Sequence, residues 1–265
     1  MSEEGQPLKS WVRTLNEVEG MLLLDVARPG MKLEQWRREA DGALTQSEGS
    51  YRTLLIKMVE RILLDTDGDK IVDSPYLRAF QSGWPELRAQ LFLVRYGLAH
   101  PWTALAAHEI LVPARAAEPP EGEDAPLVEV AVWDEFVARH IDPAIGESSR
   151  KKTRSTLVGL FKKLGCLEAT GSGRAPLKVH TIRPAPLVYG WAVGEQLKHD
   201  PTPRTIRWAS RSSNAAALFG GTPELGRRCV EAGIRAGMIA RVTNSVEICA
   251  AGGTPEAEAP ADSQG

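Results

Sequence analysis

The sequence predicts a mainly α-helical protein in three parts: a helical bundle over residues 8–113, a winged helix-turn-helix over 128–198, and a smaller winged-helix-like unit over 199–250. Apolar residues recur at helical spacing through most of the chain, which predicts amphipathic helices. An acidic, proline-rich stretch interrupts this pattern near residue 120. After it comes the order helix, turn, helix and two strand-like pieces, which is typical of a winged helix, and a shorter version of that order follows.

The bundle is predicted from a series of short apolar stripes. The first stripe ends at Pro29-Gly30, which stops a helix, and consists of Trp11, Leu15, Val18, Leu22 and Val26. Further helices are indicated at Leu33–Ala40, over the broad stripe from Tyr51 to Leu63, after Pro75, around Leu87–Val94 and around Leu105–Ile110. The connections between them are short, and short connections favour a compact bundle.

Residues 114–127 are predicted to be a linker, because small, acidic and proline residues without periodicity do not build a packed element. Beyond them, Val132–Ile141 predicts a helix and Asp142–Gly146 a turn. Either Ser148 or Ser149 would cap the next helix, which Gly165 would end. Two strand-like pieces then enclose the turn sequence GSGRAP, at Cys166–Thr170 and Leu177–Ile182.

The smaller unit repeats part of this order. Thr222-Pro223 begins a predicted helix that Gly237 ends. Two strand-like pieces, Met238–Val242 and Val246–Cys249, flank a turn at Thr243-Asn244. Residues 251–265 are rich in Ala, Gly, Pro and Glu, so we expect a disordered tail.

Motifs for catalysis, cofactors and metals are weak or missing. The stretch DTDGDKIVD places aspartates at the first three ligand positions of an EF-hand loop, but Lys70 replaces the required glycine and Tyr76 the bidentate glutamate. We therefore expect a solvated acidic loop. The five histidines and three cysteines are not at metal-binding spacings. The sequence predicts no enzyme, no cofactor and no metal.

Apolar runs are short, and the longest strongly apolar one, Met21–Leu24, cannot cross a bilayer. The start MSEEGQPLKS lacks the charged and apolar regions of a signal peptide. The sequence therefore predicts a cytoplasmic protein that does not contact a membrane.

Charge is distributed very unevenly along the chain. Residues 1–149 carry 15 Lys and Arg against 25 Asp and Glu, a net charge of −10. Residues 150–211 carry 13 against 3, a net charge of +10, and residues 212–265 have a net charge of −2. Such asymmetry favours a polyanionic partner.

The basic segment begins with ESSRKKTR, which would place four cations in the first turn of a helix, where they oppose the helix dipole. A merely solvated helix start is the alternative. Recognition helices enter the major groove with their N-terminal end, so we predict contacts with duplex DNA there. The candidate residues are Ser149, Arg150, Lys151, Lys152, Arg154, Lys162, Lys163, Arg174, Lys178 and Arg183.

Several stretches resemble the BrxA family of the bacteriophage exclusion (BREX) defence systems. KLEQWRREADGALTQSEGSYRTLLIKMVERIL and ELRAQLFLVRYGLAHPWTALAAHEIL are similar to the helices of its bundle. VWDEFVARHI, ESSRKKTRSTLVGLFKKLGCLE and LKVHTIRP resemble its C-terminal winged helix. The resemblance covers about residues 10–190; the linker at 114–126 and the unit at about 200–249 exceed it. It implies a NusB-like bundle joined to a winged helix, binding of double-stranded DNA, and a role beside the methyltransferase, ATPase and phosphatase-like proteins of the system.

The sequence therefore favours a non-catalytic, double-stranded DNA-binding accessory protein of a phage-defence system, with other defence proteins as partners. Two alternatives stay open. In the first, the chain is a protein–protein adaptor whose basic segment meets an acidic surface, either on a partner or on its own first part. In the second, it is a transcriptional regulator of a defence operon that reads a specific operator.

Overall fold

The structure is a computed structural model that describes residues 17–45, 48–200, 202–242 and 246–251. Over these residues the protein is mainly helical, with small antiparallel sheets. The mainly α fold class is therefore confirmed. The start of the first predicted helix, the predicted turn at Thr243-Asn244 and nearly all of the predicted tail lie outside the described residues.

The first part of the chain contains α1 (Glu17–Asp25), α2 (Leu33–Ala43), α3 (Gly49–Leu63), the strands β1 (Thr66–Asp67) and β2 (Lys70–Ile71), α4 (Pro75–Ser82), α5 (Pro85–Leu98) and α6 (Pro101–Ala106). A π-helical turn, Ala107–Leu111, then continues α6 into α7, Val112–Ala116. Helical structure therefore extends into the beginning of the stretch that was predicted to be a linker.

The first helix buries a different face from the predicted one. Val18 and Leu22 are 64% and 43% exposed, whereas Leu23 and Leu24 are fully buried. The indole Nε1 of Trp36 donates a hydrogen bond to the carbonyl of Leu23 at 3.1 Å. The run of four apolar residues at the centre of α1 offers two apolar faces, and packing against α3 and α5 selects the second.

The aspartate-rich loop is the hairpin of β1 and β2, with Gly68 in its turn at a φ of +58°. Its first aspartate, Asp65, accepts two hydrogen bonds from Arg95, at 2.7 and 3.0 Å. Burial alone would raise the pKa of Asp65, but the Arg95 guanidinium outweighs this effect and holds the pKa below its usual value. In the described ranges, no three His, Cys, Asp or Glu side chains are grouped as a metal site would require.

The middle of the chain contains β3 (Leu127–Val128), α8 (Val130–His140), α9 (Glu147–Lys163), β4 (Leu167–Ala169) and β5 (Leu177–Val179). Strand β5 lies between β3 and β4 and is antiparallel to both, with Leu177 opposite Val128 on one side and Ala169 on the other. Two helices therefore separate the edge strand β3 from the hairpin β4–β5. We call β3 to β5 the first unit.

The same strand order occurs again in the second unit, which contains α10 (Pro186–His199), β6 (Arg204–Thr205), α11 (Ile206–Arg211), α12 (Asn214–Phe219), α13 (Pro223–Arg235), β7 (Ile239–Arg241) and β8 (Glu247–Ala250). Strand β8 lies between β6 and β7, and its buried Ile248 is opposite Arg204 on one side and Arg241 on the other. The two units are therefore similar in topology.

Helix α10 joins the second unit to the first part of the chain. A Cβ on Gly190 would lie 2.6 Å from the Cα of Gly233, so glycine is needed where α10 crosses α13. On its other side, the ring of Trp191 packs 5.4 Å from that of Tyr76. Buried apolar residues accordingly form one continuous core from α1 to β8. Helix α10 was not predicted from the sequence, because its first nine residues, Pro186–Gly194, are apolar on all sides and show no amphipathic period.

Arg115 of α7 connects the two units. Its Nε donates a hydrogen bond to the carbonyl of His180 at 3.0 Å, just beyond β5. Its Nη1 and Nη2 donate to the carbonyls of Ala217 and Leu218 in the last turn of α12, at 2.7 and 2.9 Å. Gly220 follows with a φ of +70°, and a Cβ there would lie 3.1 Å from the Arg115 Cδ. A single guanidinium therefore satisfies carbonyls from two separate segments.

We expect Arg115→Met to lower the free energy of unfolding by about 2–3 kcal/mol, because three carbonyls lose a charged donor. For a chain of this size the melting temperature should fall by roughly 5–10 °C. Arg139→Met is the control, since Arg139 is exposed and its partner among the described residues is Glu109, at 3.2 Å, and such surface pairs contribute less than about 1 kcal/mol. Equal shifts in the two variants would contradict this role of Arg115.

Stability should also depend on pH through His100. Burial, with a smaller effect of Arg61, lowers the pKa of His100 to about 4, below the roughly 6.5 of an unfolded histidine. The unfolded state then binds the proton more readily, so this stability is present above about pH 6.5 and is lost as the pH falls toward 4. Urea unfolding should show about 2 kcal/mol more loss between pH 7 and 5 in the wild type than in His100→Gln. An identical pH profile in the two proteins would refute the assignment.

Candidate nucleic-acid interface

Helix α9 begins earlier than predicted. Gly146 is its N-cap and no side chain caps it, so Ser148 and Ser149 lie inside the first turn. The prediction of a serine cap is therefore wrong. The Asp142 carboxylate accepts a hydrogen bond from the Ala144 N–H at 2.8 Å, which tightens the preceding turn and brings the helix start forward.

This shift changes the position of the basic residues relative to the helix dipole. Glu147 occupies the first helical position, where a carboxylate is favourable. Only Arg150 remains in the first turn, while Lys151, Lys152 and Arg154 lie in the second. The cations therefore oppose the dipole much less than the sequence analysis assumed, because the effect decays within one turn.

Two of the candidate arginines hold α8 and α9 together. Arg154 donates to the Asp134 carboxylate of α8 at 2.7 Å, with only 24% of its side chain exposed. Arg150 donates to the Pro143 carbonyl in the turn at 2.8 Å. Both side chains are half-buried. Their contacts fix the angle between the two helices, so their main role is structural.

The stretch predicted as an acidic linker packs against the sheet of the first unit. Glu123 and Asp124 contact the Nζ of Lys178 at 3.0 and 2.6 Å. Hydrogen bonds to these two carboxylates raise the pKa of Lys178 above its ordinary value. Lys178 is thus neutralised by its own chain and is a poor candidate for a phosphate contact.

Two further candidates form exposed ion pairs. Lys151 pairs with Glu147 at 2.7 Å within α9. Lys163 pairs with Glu17 of α1 at 3.5 Å. Exposed pairs of this kind contribute at most about 1 kcal/mol, so an incoming phosphate can displace them. Among the described residues, Lys163 is the one of the ten candidates whose acid partner belongs to the first part of the chain.

Lys152, Lys162 and Arg174 are exposed, and within the ranges that the structure describes their side chains have no hydrogen-bond or ion-pair partner. Lys152 and Lys162 share one outward face of α9 with Ser155 and Gly159, at helical spacing. We call these four residues the α9 face. A Cβ at Gly159 would meet nothing within 4 Å, so the centre of this face is open. Arg174 lies at the exposed tip between β4 and β5.

The last two candidates lie elsewhere. Ser149 is half-buried, and its carbonyl accepts a hydrogen bond from the Thr153 hydroxyl at 3.1 Å. Arg183 lies between β5 and α10, beside the second unit. The Ile182 N–H next to it donates to the Phe219 carbonyl at 3.0 Å. The structure therefore brings Lys152 and Lys162 together and separates Arg183 from them.

The Cys166 thiol and the Asp65 carboxylate, two groups with possible chemical reactivity, both bind other groups of the fold. The Cys166 thiol is buried, donates to the Leu218 carbonyl at 3.3 Å, and burial raises its pKa to about 11. A cavity of about 460 Å³ between α3, α5 and α10 is lined by Asp65, Arg95 and Trp191 among others. There the Asp65 carboxylate and the Arg95 guanidinium bind each other. These groups do not form a nucleophile with an adjacent base.

Comparison with family models, curated proteins and solved structures gives no match to this chain. The resemblance to the BrxA family therefore stays an interpretation of the sequence. Within the described part of the chain, the helices are too short or too polar to cross a membrane.

The paired and unpaired cations should differ in their effect on stability. We expect Arg154→Ala to lower the free energy of unfolding by about 1 kcal/mol, because the Asp134 carboxylate loses its partner, and the melting temperature by roughly 2–4 °C. Lys152→Ala removes the same charge two residues earlier and should leave the melting temperature within about 1 °C, since an exposed helical site favours Ala. If Lys152→Ala destabilises the protein as much as Arg154→Ala, the division into structural and free cations is wrong.

Proposed function

We propose that this protein binds double-stranded DNA through the α9 face and Arg174, without catalysing a reaction on it. One observation carries the proposal: Lys152, Lys162 and Arg174 lie exposed on the unit formed by α8, α9 and the β4–β5 hairpin, and no acid among the described residues pairs with them. Helix–turn–helix units bind duplex DNA with their second helix and commonly contact the backbone with adjacent loops.

The finer interpretation is that the first unit is a winged helix, with α9 as the recognition helix and the β4–β5 hairpin as the wing. The strand order β3–β5–β4, with two helices between the first strand and the hairpin, supports it. The NusB-like bundle and the BREX role are supported by the resemblance alone.

The chemistry of the surface favours contact with the DNA backbone. Lysines act as point charges toward phosphates, and the small Ser155 and Gly159 between them leave room for close approach. Three phosphate contacts predict a log–log salt slope of about −2.7, which is roughly a 40-fold loss of affinity between 50 and 200 mM salt. Binding of this kind has little sequence preference, which disfavours the operator-reading alternative.

An adaptor function remains the second candidate, and one observation favours it. Trp84 is 57% exposed and Val18 64%. Trp84 is the N-cap of α5 and Val18 belongs to α1, and the Arg88–Asp25 ion pair connects these two helices. Exposed apolar surface is typical of protein contacts.

We expect Lys152→Ala combined with Lys162→Ala to weaken binding to a random-sequence duplex and to reduce the salt slope by about 1.8, because two phosphate contacts are lost. Fluorescence anisotropy across a salt series measures both quantities. The melting temperature should not change, since neither side chain has a partner within the described residues.

The matched control is Arg38→Ala combined with Lys57→Ala, which removes two exposed cations from α2 and α3. Its DNA affinity should stay within about twofold of the wild type, apart from a weak long-range effect of net charge. No binding by the folded wild type at low salt would reject the DNA function and favour the adaptor. Equal losses in the two double variants would reject the α9 face as the site.

A further inference from the structure

The second unit carries its own set of unpaired cations. Arg183, Arg207 and Arg211 are exposed, and their side chains have no acid or hydrogen-bond partner in the parts of the chain that the structure describes. The nearest acids in the sequence are already occupied: Glu195 pairs with Lys198, and Asp200 with Arg204 at 2.5 Å. These arginines therefore contribute an uncompensated positive charge.

The fold places Arg183 and Arg211 on the two sides of one turn, Gly220-Gly221. Arg211 lines an open groove of about 350 Å³ together with both glycines. On the other side, Thr181 lies so close that a Cβ at Gly220 would be 3.1 Å from its Oγ1. Arg183, two residues later, is near enough to α13 to oppose the rise that burial causes in the pKa of Cys229. Arg207 precedes Arg211 by one helical turn on α11.

We propose that Arg183, Arg207 and Arg211 form a second surface that contacts the phosphates of duplex DNA. The proposal rests on the proposed function and assigns the second unit to the same ligand. Guanidinium groups bind phosphate oxygens with two parallel donors. The groove beside Arg211 is lined by small side chains such as Ser210 and Ala216, which leaves room for a broad, regularly charged ligand.

The outward face of α13 is a weaker candidate, although α13 corresponds in topology to α9. Arg227 and Arg228 contact Glu224 at 2.7 and 3.3 Å. Arg241, on the adjacent strand, contacts Glu231 at 2.7 Å. Glu224 offsets one of the two charges of Arg227 and Arg228, Glu231 offsets that of Arg241, and both carboxylates would repel phosphates. In this proposal the second unit therefore contacts DNA beside α13 instead of along it.

The two surfaces belong to one body. Arg115 bonds carbonyls on both sides of the junction, and the buried core is continuous across it. One duplex that spans both surfaces would meet the second at a high effective concentration. Three additional contacts should add about 2.7 to the magnitude of the salt slope.

The test compares the wild type with Arg183→Ala, Arg207→Ala and Arg211→Ala combined, by anisotropy on a random duplex across a salt series. We expect at least a roughly tenfold loss of affinity and a slope smaller by about 2.7. Arg227→Ala with Arg228→Ala is the control for charge and should change affinity by less than about threefold, because both side chains are already bound to Glu224. The triple Arg→Lys variant should retain most of the salt slope, because the charge remains. If the triple Ala variant has a lower melting temperature than the wild type, the triple Arg→Gln variant is measured in its place.

One result would overturn this surface and leave the proposed function intact. In that result, the triple Ala variant keeps the affinity and the salt slope of the wild type, while Lys152→Ala with Lys162→Ala loses binding. A loss in the Arg227/Arg228 control as large as in the triple variant would overturn it as well, since net charge alone would explain both. If the wild type does not bind duplex DNA at all, the proposed function fails, and this surface fails with it.

Discussion

The arrangement of the second half of the protein depends on the hydrogen bonds of one side chain, Arg115. Carbonyls at the end of a helix have no intrahelical partner, and those of Ala217 and Leu218 obtain one from this guanidinium. The same group binds the His180 carbonyl beyond β5. Gly220, in the turn that follows, has a left-handed φ, and Arg115 lies so close to it that a side chain at this position would be crowded. This geometry sets the position of Arg183 and Arg211 relative to the first unit.

A second constraint is the ion pairing between acidic and basic side chains of the chain. The sequence shows net charges of −10 and +10 in adjacent segments, which suggests attraction between them. Among the described residues, acids of the −10 segment bind cations of the +10 segment: Asp134 binds Arg154, and Glu123 with Asp124 binds Lys178. These contacts hold the first unit together. The cations that they leave exposed are the ones with free energy to gain from an external polyanion.

Much of the fold could be predicted from periodicity, because helices with one polar face leave a regular pattern; α2, α3 and α9 lie close to their expected bounds. The features that were missed depend on tertiary contacts. The first nine residues of α10 are apolar on all sides. The buried face of α1 is selected by its neighbours, and the start of α9 is set by the preceding turn. The candidate site was predictable in its location. The sequence could not show which cations are unpaired, since a partner can be distant in the chain: Asp134 is 20 residues away from Arg154.

The most direct test of the central claim is a lysine acetylation footprint, read by peptide mass spectrometry with and without saturating duplex DNA. The account predicts that DNA protects Lys152 and Lys162 strongly. Lys57, on the bundle, should react equally in both conditions, and Lys178 should react slowly in both, because two carboxylates already hold its ammonium group. Unchanged labelling of Lys152 and Lys162 in the presence of bound DNA, or equal protection of Lys57, would contradict it.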